Sequence, residues 1–265
     1  MNSTRSIAAL ALATVSEAVR SRILYALLLF ALGLIVFSAV LSNLTLGWQS
    51  RIVTDVSLSA VSMAGTVMAV LLGVTSVARE VERRTYYAIL AKPVSRSAYV
   101  VGKWLGVVAT VYLNVALMMV GATVAIAVYT DSDKTGFQYA AVPYVITLGL
   151  TFIRLALVGA VAVAFSTFTS STVATISSVG LVVAGYFTGE LRFFLQRSES
   201  EVIRTVGQAV YQIVPDLAAL DTLPLLVQGR EFGFAQVLPS VIYGVCFGAF
   251  LLVGACGIFS RRDLG

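Results

Sequence analysis

Charged residues along this chain fall in clumps and leave six long uncharged intervals, 23–50, 56–78, 104–130, 135–153, 155–189 and 232–260. A helix crossing the hydrocarbon of a bilayer takes about 20 apolar residues, and each interval is close to that length or longer. The polar cluster at 166–172, reading Ser-Thr-Phe-Thr-Ser-Ser-Thr, marks a turn between the fourth and fifth apolar runs. The pattern therefore predicts an all-α membrane protein with six transmembrane helices: 23–42, 56–78, 103–129, 144–165, from the 166–172 turn to residue 189, and 239–259. Residues 1–265 read as a single transmembrane domain.

Three segments outside the spans carry their own patterns. In residues 1–22, Ile7, Leu10, Ala11, Val15, Ala18 and Val19 share one helical face and Ser6, Ser16, Glu17 and Arg20 another, which predicts a helix lying in the membrane interface. A plain extension of the first span is the alternative. In 79–103, Glu80 to Leu90 suits a helix, Pro93 pushes Lys92 out of helical geometry, and Ser95 suits the N-cap of a helix through Arg96, Tyr99 and Lys103. In 190–238, Val202, Val206, Val210 and Ile213 recur at helical spacing up to Pro215. That predicts one or two amphipathic helices resting on the outer leaflet; the alternatives are a cap over an exit path or a surface that binds an extracytoplasmic accessory protein.

Composition sharpens the class. Of 265 residues, 58% are hydrophobic and 12% charged, and histidine is absent, a balance that places the chain in the lipid bilayer. The net charge of +5 does not point to nucleic acid, because the basic residues flank spans, where they set orientation. With the N-terminus inside, Arg5, Arg20, Arg22, six basic residues of 79–103, Arg261 and Arg262 face the cytoplasm, against Arg51, Lys134, Arg192, Arg197, Arg204 and Arg230 outside. An N-in, C-in topology follows. Cys246 and Cys256 stand about 15 Å apart on one helix, beyond disulfide reach.

Chemistry is narrowed by what is missing. The Gly102-Lys103 pair lacks the glycine-rich cradle of a P-loop, so the chain does not hydrolyse ATP. Every Asp and Glu is expected in a loop or at a span end, which argues against proton coupling. No histidine base, metal cluster or intramembrane carboxylate pair supports hydrolysis. Arg154 stands alone inside the fourth span. It either lines a substrate pathway and attracts an anionic group, or is paired within the bundle.

The 79–103 segment, with Leu90, Lys92-Pro93-Val94-Ser95-Arg96, Tyr99 and Lys103, resembles the cytoplasmic loop of ABC transporter permeases of the type-2 exporter class. The stretch 211–221 and the closing 259–264 are similar to the branch that includes the permease of nitrous oxide reductase maturation. Arg84 departs from the pattern, since many members carry glycine there. The resemblance implies a multi-pass permease of a bacterial cytoplasmic (inner) membrane, paired with a second or sister permease and driven by two copies of an ABC ATPase subunit. ATP and Mg would reside on that partner, with no cofactor on this chain. It maps the transverse coupling helix onto Thr85, Tyr86, Tyr87 and Leu90, with Glu80, Glu82, Lys92, Pro93 and Arg96 beside the joint. A non-transporting membrane scaffold that recruits a cytoplasmic partner through its basic loop is the competing reading.

Overall fold

In a computed structural model, the residues described are 3–42, 44, 49–82, 95–130, 137–197, 207, 214–230 and 232–261. They form α1 (Ser3–Val19), α2 (Arg22–Ser42), α3 (Gln49–Glu82), α4 (Arg96–Thr130), α5 (Phe137–Ser166), α6 (Ser171–Tyr186), α7 (Thr188–Arg197), a 3-10 turn (Ala218–Leu220), α8 (Leu223–Val227) and α9 (Phe234–Arg261). Among these residues every regular element is helical, as the apolar periodicity requires. Ser95 caps α4 as its sequence position suggests, its Oγ accepting the Ala98 N–H at 3.3 Å. The helix then runs straight on, so the third span begins at Arg96 and not at Lys103. Two prolines, Pro143 in α5 and Pro239 in α9, lie inside helices; α9 therefore starts before Pro239, which had been expected to open it.

Among the described residues, five helices are long and apolar enough to cross a membrane: α2, α3 over Ser50–Ala78, α4 over Arg96–Val128, α5 over Val142–Ser166 and α9 over Phe234–Ser260. The predicted fifth span is not among them. α6 has 16 residues, about 24 Å at 1.5 Å per residue, less than the ~30 Å of hydrocarbon. The helix stops because Thr188 folds back, its hydroxyl donating to the Gly185 carbonyl at 3.0 Å and to Asp216 Oδ1 at 2.6 Å. Gly189, expected to close this span, lies in α7.

What replaces the missing half of that span is chain from further along. At one end of the bundle, the Arg96 end, Val77, Tyr99, Val100, Val163 and Phe259 pack together, which brings the close of α3, α5 and α9 to the opening of α4. α6 starts there too, Ala174 packing on Val74, Ala78 and Ala162, and it stops at mid-depth, where the Tyr186 hydroxyl is 3.2 Å from that of Thr66. Residues 214–230 then continue the path. Leu217 donates its N–H to Gly185 O at 3.0 Å, Thr222 meets Thr147 at 3.0 Å, and Val227 reaches Arg51, Ile52 and Asp55 at the opposite end.

This re-entrant segment is core. Leu217 and Leu220 are 0% and 1% exposed, and a Cβ on Gly185 would come 2.6 Å from the Pro215 carbonyl. The expectation that 190–238 rests on the leaflet surface thus fails for 214–230, whose Leu217, Leu220, Leu223 and Leu226 have an apolar core to fill. The helix expected over 202–213 lies outside the described residues, apart from Gly207.

α1 is the helix expected near the N-terminus. It runs alongside the start of α4, with Leu10 against Gly102 and Thr14 against Gly106, a partner the sequence did not name, while Leu12 and Val19 stay exposed. The buried positions are Ser6, Thr14 and Ala18. The two glycines let the backbones close up, since a Cβ on either would come within 3 Å of Leu10 or Thr14.

Candidate functional site

Arg154 occupies the midpoint of the Val142–Ser166 span and is 1% exposed. A guanidinium at that depth is costly unless its charge is met. Three elements converge to meet it. From α3, Ser62 Oγ accepts from Nη2 at 2.6 Å. From the re-entrant segment, Asp221 Oδ2 comes within 2.9 Å of Nη1. From the end of α6, the Tyr186 ring lies 5.4 Å from the guanidinium carbon, within cation–π range. The Asp221 oxygen sits off the N–H axis, so Nη1 and Nε lack an aligned acceptor. The contact is charge pairing and not a bidentate fork.

The turn that carries Asp221 is itself braced. Asp221 Oδ1 accepts the Leu223 N–H at 3.2 Å, which fixes the start of α8. Asp216 Oδ1 accepts from Thr188 and from the Ala219 N–H, and the Asp216 N–H donates to the Tyr243 hydroxyl at 2.7 Å. α6, the 3-10 turn and α9 are thereby tied to the segment that delivers the carboxylate.

Beside the pair lies an open groove of about 270 Å³, lined by Ser59, Ser62, Met63, Thr66, Tyr186 and Asp221 among others. A small enclosed chamber, about 10 Å³, lies behind it against Arg154, Thr147 and Thr151. Ser62 and Leu223 belong to both. Asp221 is 26% exposed where its guanidinium partner is 1%, so the carboxylate is the charged group at the groove surface.

At the Arg96 end a second constellation forms. Arg96 Nη1 donates to the carbonyls of Phe259 and Ser260 at 3.3 and 3.1 Å. These are among the last carbonyls of α9, which have no partner within the helix and carry its negative dipole end. Tyr99 stacks on Phe259 with ring centroids 5.5 Å apart. The start of α4 is thus fastened to the end of α9.

Of the coupling residues expected from sequence, Arg96 is at this junction, and Glu80 and Glu82 occupy the last turn of α3. Thr85, Tyr86, Tyr87, Leu90, Lys92 and Pro93 lie outside the described residues. Arg154 is paired inside the bundle. Sequence reasoning missed its partners Asp221, Ser62 and Tyr186: Asp221 lies in a loop, as expected of every Asp and Glu, but the loop stands beside Arg154. The reason is the re-entrant fold, which carries a loop residue to the centre of the span; the signal available was one unmatched arginine and one aspartate within an otherwise apolar stretch, 217–227.

No curated protein matches the chain. The family model described as ABC-2 family transporter protein matches residues 6–263, nearly its whole length. Among the described residues, five helices long and apolar enough to cross a membrane agree with a membrane component. The chain belongs to the ABC-2 transporter family and is a multi-pass permease subunit of an ABC transporter, a family that implies an ABC ATPase partner.

Proposed function

We propose that this permease is the membrane half of an exporter or extractor in a bacterial cytoplasmic membrane, working as a pair of permeases, each engaged by one copy of a separate ATPase that holds ATP and Mg. The observation that carries the reading is the geometry at the Arg96 end. α3 and α4 have 34 and 35 residues, about 50 Å each, so part of each stands outside the ~30 Å of hydrocarbon. They are consecutive, and the chain between them is the segment that resembles a coupling loop.

A push on Thr85, Tyr86, Tyr87 and Leu90 would reach α3 directly, with Glu80 and Glu82 in its last turn beside the joint. Through Lys92, Pro93 and Arg96 it would reach α4. Because Arg96 also grips the α9 carbonyls, the same push is shared with the last span. Three membrane-crossing helices then move from one contact.

The test is Tyr87→Ala combined with Leu90→Ala, in tagged protein purified from its native membranes in mild detergent. The eluate is assayed for ATP hydrolysis and for a Walker-motif protein by mass spectrometry. The double variant is expected to lose at least 90% of the co-purifying ATPase, on the order of a 1.4 kcal/mol loss of binding, with an unchanged melting temperature. Full retention of the ATPase would sink the assignment.

A further inference from the structure

We propose that the groove beside Arg154 is a water-lined wall of the transport pathway that takes an amphiphile with a cationic head, and that Asp221 is the charge that meets it. The inference rests on the permease reading and adds the chemistry of what passes. Its basis is depth. Ser62 and Thr66 straddle the midpoint of the Ser50–Ala78 span and Arg154 is the midpoint of Val142–Ser166, so two independent helices put the groove at the centre of the membrane.

The groups it shows there do not suit hydrocarbon. Ser59 is exposed and the Asp221 carboxylate is 26% exposed, beside Ser62, Thr66 and Tyr186, whose hydroxyls are already held by Arg154, the Ser62 carbonyl and one another. Polar backbone and side-chain groups facing lipid at that depth have nothing to bond to, and an ionised carboxylate is among the least tolerated. Such a face is stable where it borders water.

The sign of the charge follows from burial. Arg154 is 1% exposed, behind Asp221, so a ligand in the groove encounters the carboxylate first and an anion would have to displace it. This reverses what a lone mid-span arginine suggests by itself. Met63, 66% exposed, together with Val67 and Leu223 gives the same groove an apolar side, which suits a hydrocarbon body attached to the cationic head.

The experiment uses the full chain in lipid nanodiscs with Cys246→Ser and Cys256→Ser, carrying Ser59→Cys or Met63→Cys, and exposed Ser16→Cys as a reactive control. Each is treated with positively or negatively charged water-soluble methanethiosulfonates; only the thiolate reacts, so a thiol facing lipid is silent. Both groove positions are expected to label. Their cationic-to-anionic rate ratio should exceed that of free 2-mercaptoethanol by roughly fivefold, as a nearby unit charge in a partly wet site provides. Asp221→Asn should abolish that excess, and so should Arg154→Leu with Asp221→Leu, which removes both charges should the single variant fail to fold. Dodecylammonium should slow labelling where dodecyl phosphate does not. Silence at both groove positions while Ser16→Cys labels overturns the water-lined wall; a ratio equal to that of the free thiol, or one that survives loss of Asp221, overturns the cationic preference. Neither result depends on the ATPase, so failure here leaves the permease assignment standing, and loss of the ATPase capture result leaves this one standing.

Discussion

At the scale of single residues, the Arg154–Asp221 pair sets how the re-entrant segment is seated. Removing one member of a buried ion pair leaves a charge without compensation, at about 3–5 kcal/mol, whereas removing both and filling the space with apolar atoms is often neutral. Arg154→Leu and Asp221→Leu are each expected to destabilise the protein by about that much, and the double variant by clearly less than their sum. Denaturant unfolding in mild detergent measures all three, and strict additivity would show that the 2.9 Å contact carries no coupling. Half of this pair was legible in the sequence. An arginine in an apolar run announces a need for a partner, but periodicity says nothing about which distant loop supplies it. The Ser95 cap was legible in full because capping depends on neighbours a few residues away.

At the scale of elements, the tight contact between α1 and α4 is legible in part. The Gly102-x-x-x-Gly106 pattern foretells a close approach, yet it does not name the partner, which proves to be α1 and not another span. A Cβ on Gly106 would stand 2.5 Å from Thr14 Cβ and 2.8 Å from the Ala11 carbonyl, so the two backbones must separate to admit any larger residue. Gly106→Leu is expected to cost about 1–3 kcal/mol, as overpacking does, and to open α1 to trypsin at Arg5 and Arg20. Gly254→Ala is the control: a Cβ there meets nothing within 4 Å, and removing a helix-interior glycine should stabilise by up to about 1 kcal/mol. Equal protease resistance in the two variants would rule out the tight α1–α4 joint. The shortness of α6 was hidden for a related reason. Residues 155–189 are uncharged, and an uncharged run reads as long as its composition allows, whereas the break at Thr188 is made by Asp216, a residue delivered from elsewhere in the chain.

At the scale of the whole molecule, contacts show which segments share one end of the bundle. The α9 carboxyl end is bonded to Arg96 at the start of α4, and Leu10 of α1 packs on Gly102, two turns into the same helix. The N-terminal helix, the joint between α3 and α4 and the end of α9 therefore share one end of the bundle. Arg51, Asp55 and Val227 mark the other. The basic residues near the first group, Arg5, Arg20, Arg22 and Arg96 among them, make that end the cytoplasmic one in the proposed reading, by the positive-inside tendency. Epitope tags placed before Ser3, between Tyr87 and Ala88, and after Gly265 should all be digested in inverted vesicles and all be protected in right-side-out ones. A tag after Arg230, where the re-entrant segment has climbed back to the Arg51 end, should show the opposite pattern. If the three tags divided between compartments, the shared end of the bundle would be wrong, and with it any scheme in which one push on the 85–90 segment moves α3, α4 and α9 together. If all three were exposed on the outer face instead, the bundle would stand but no cytoplasmic ATPase could reach it.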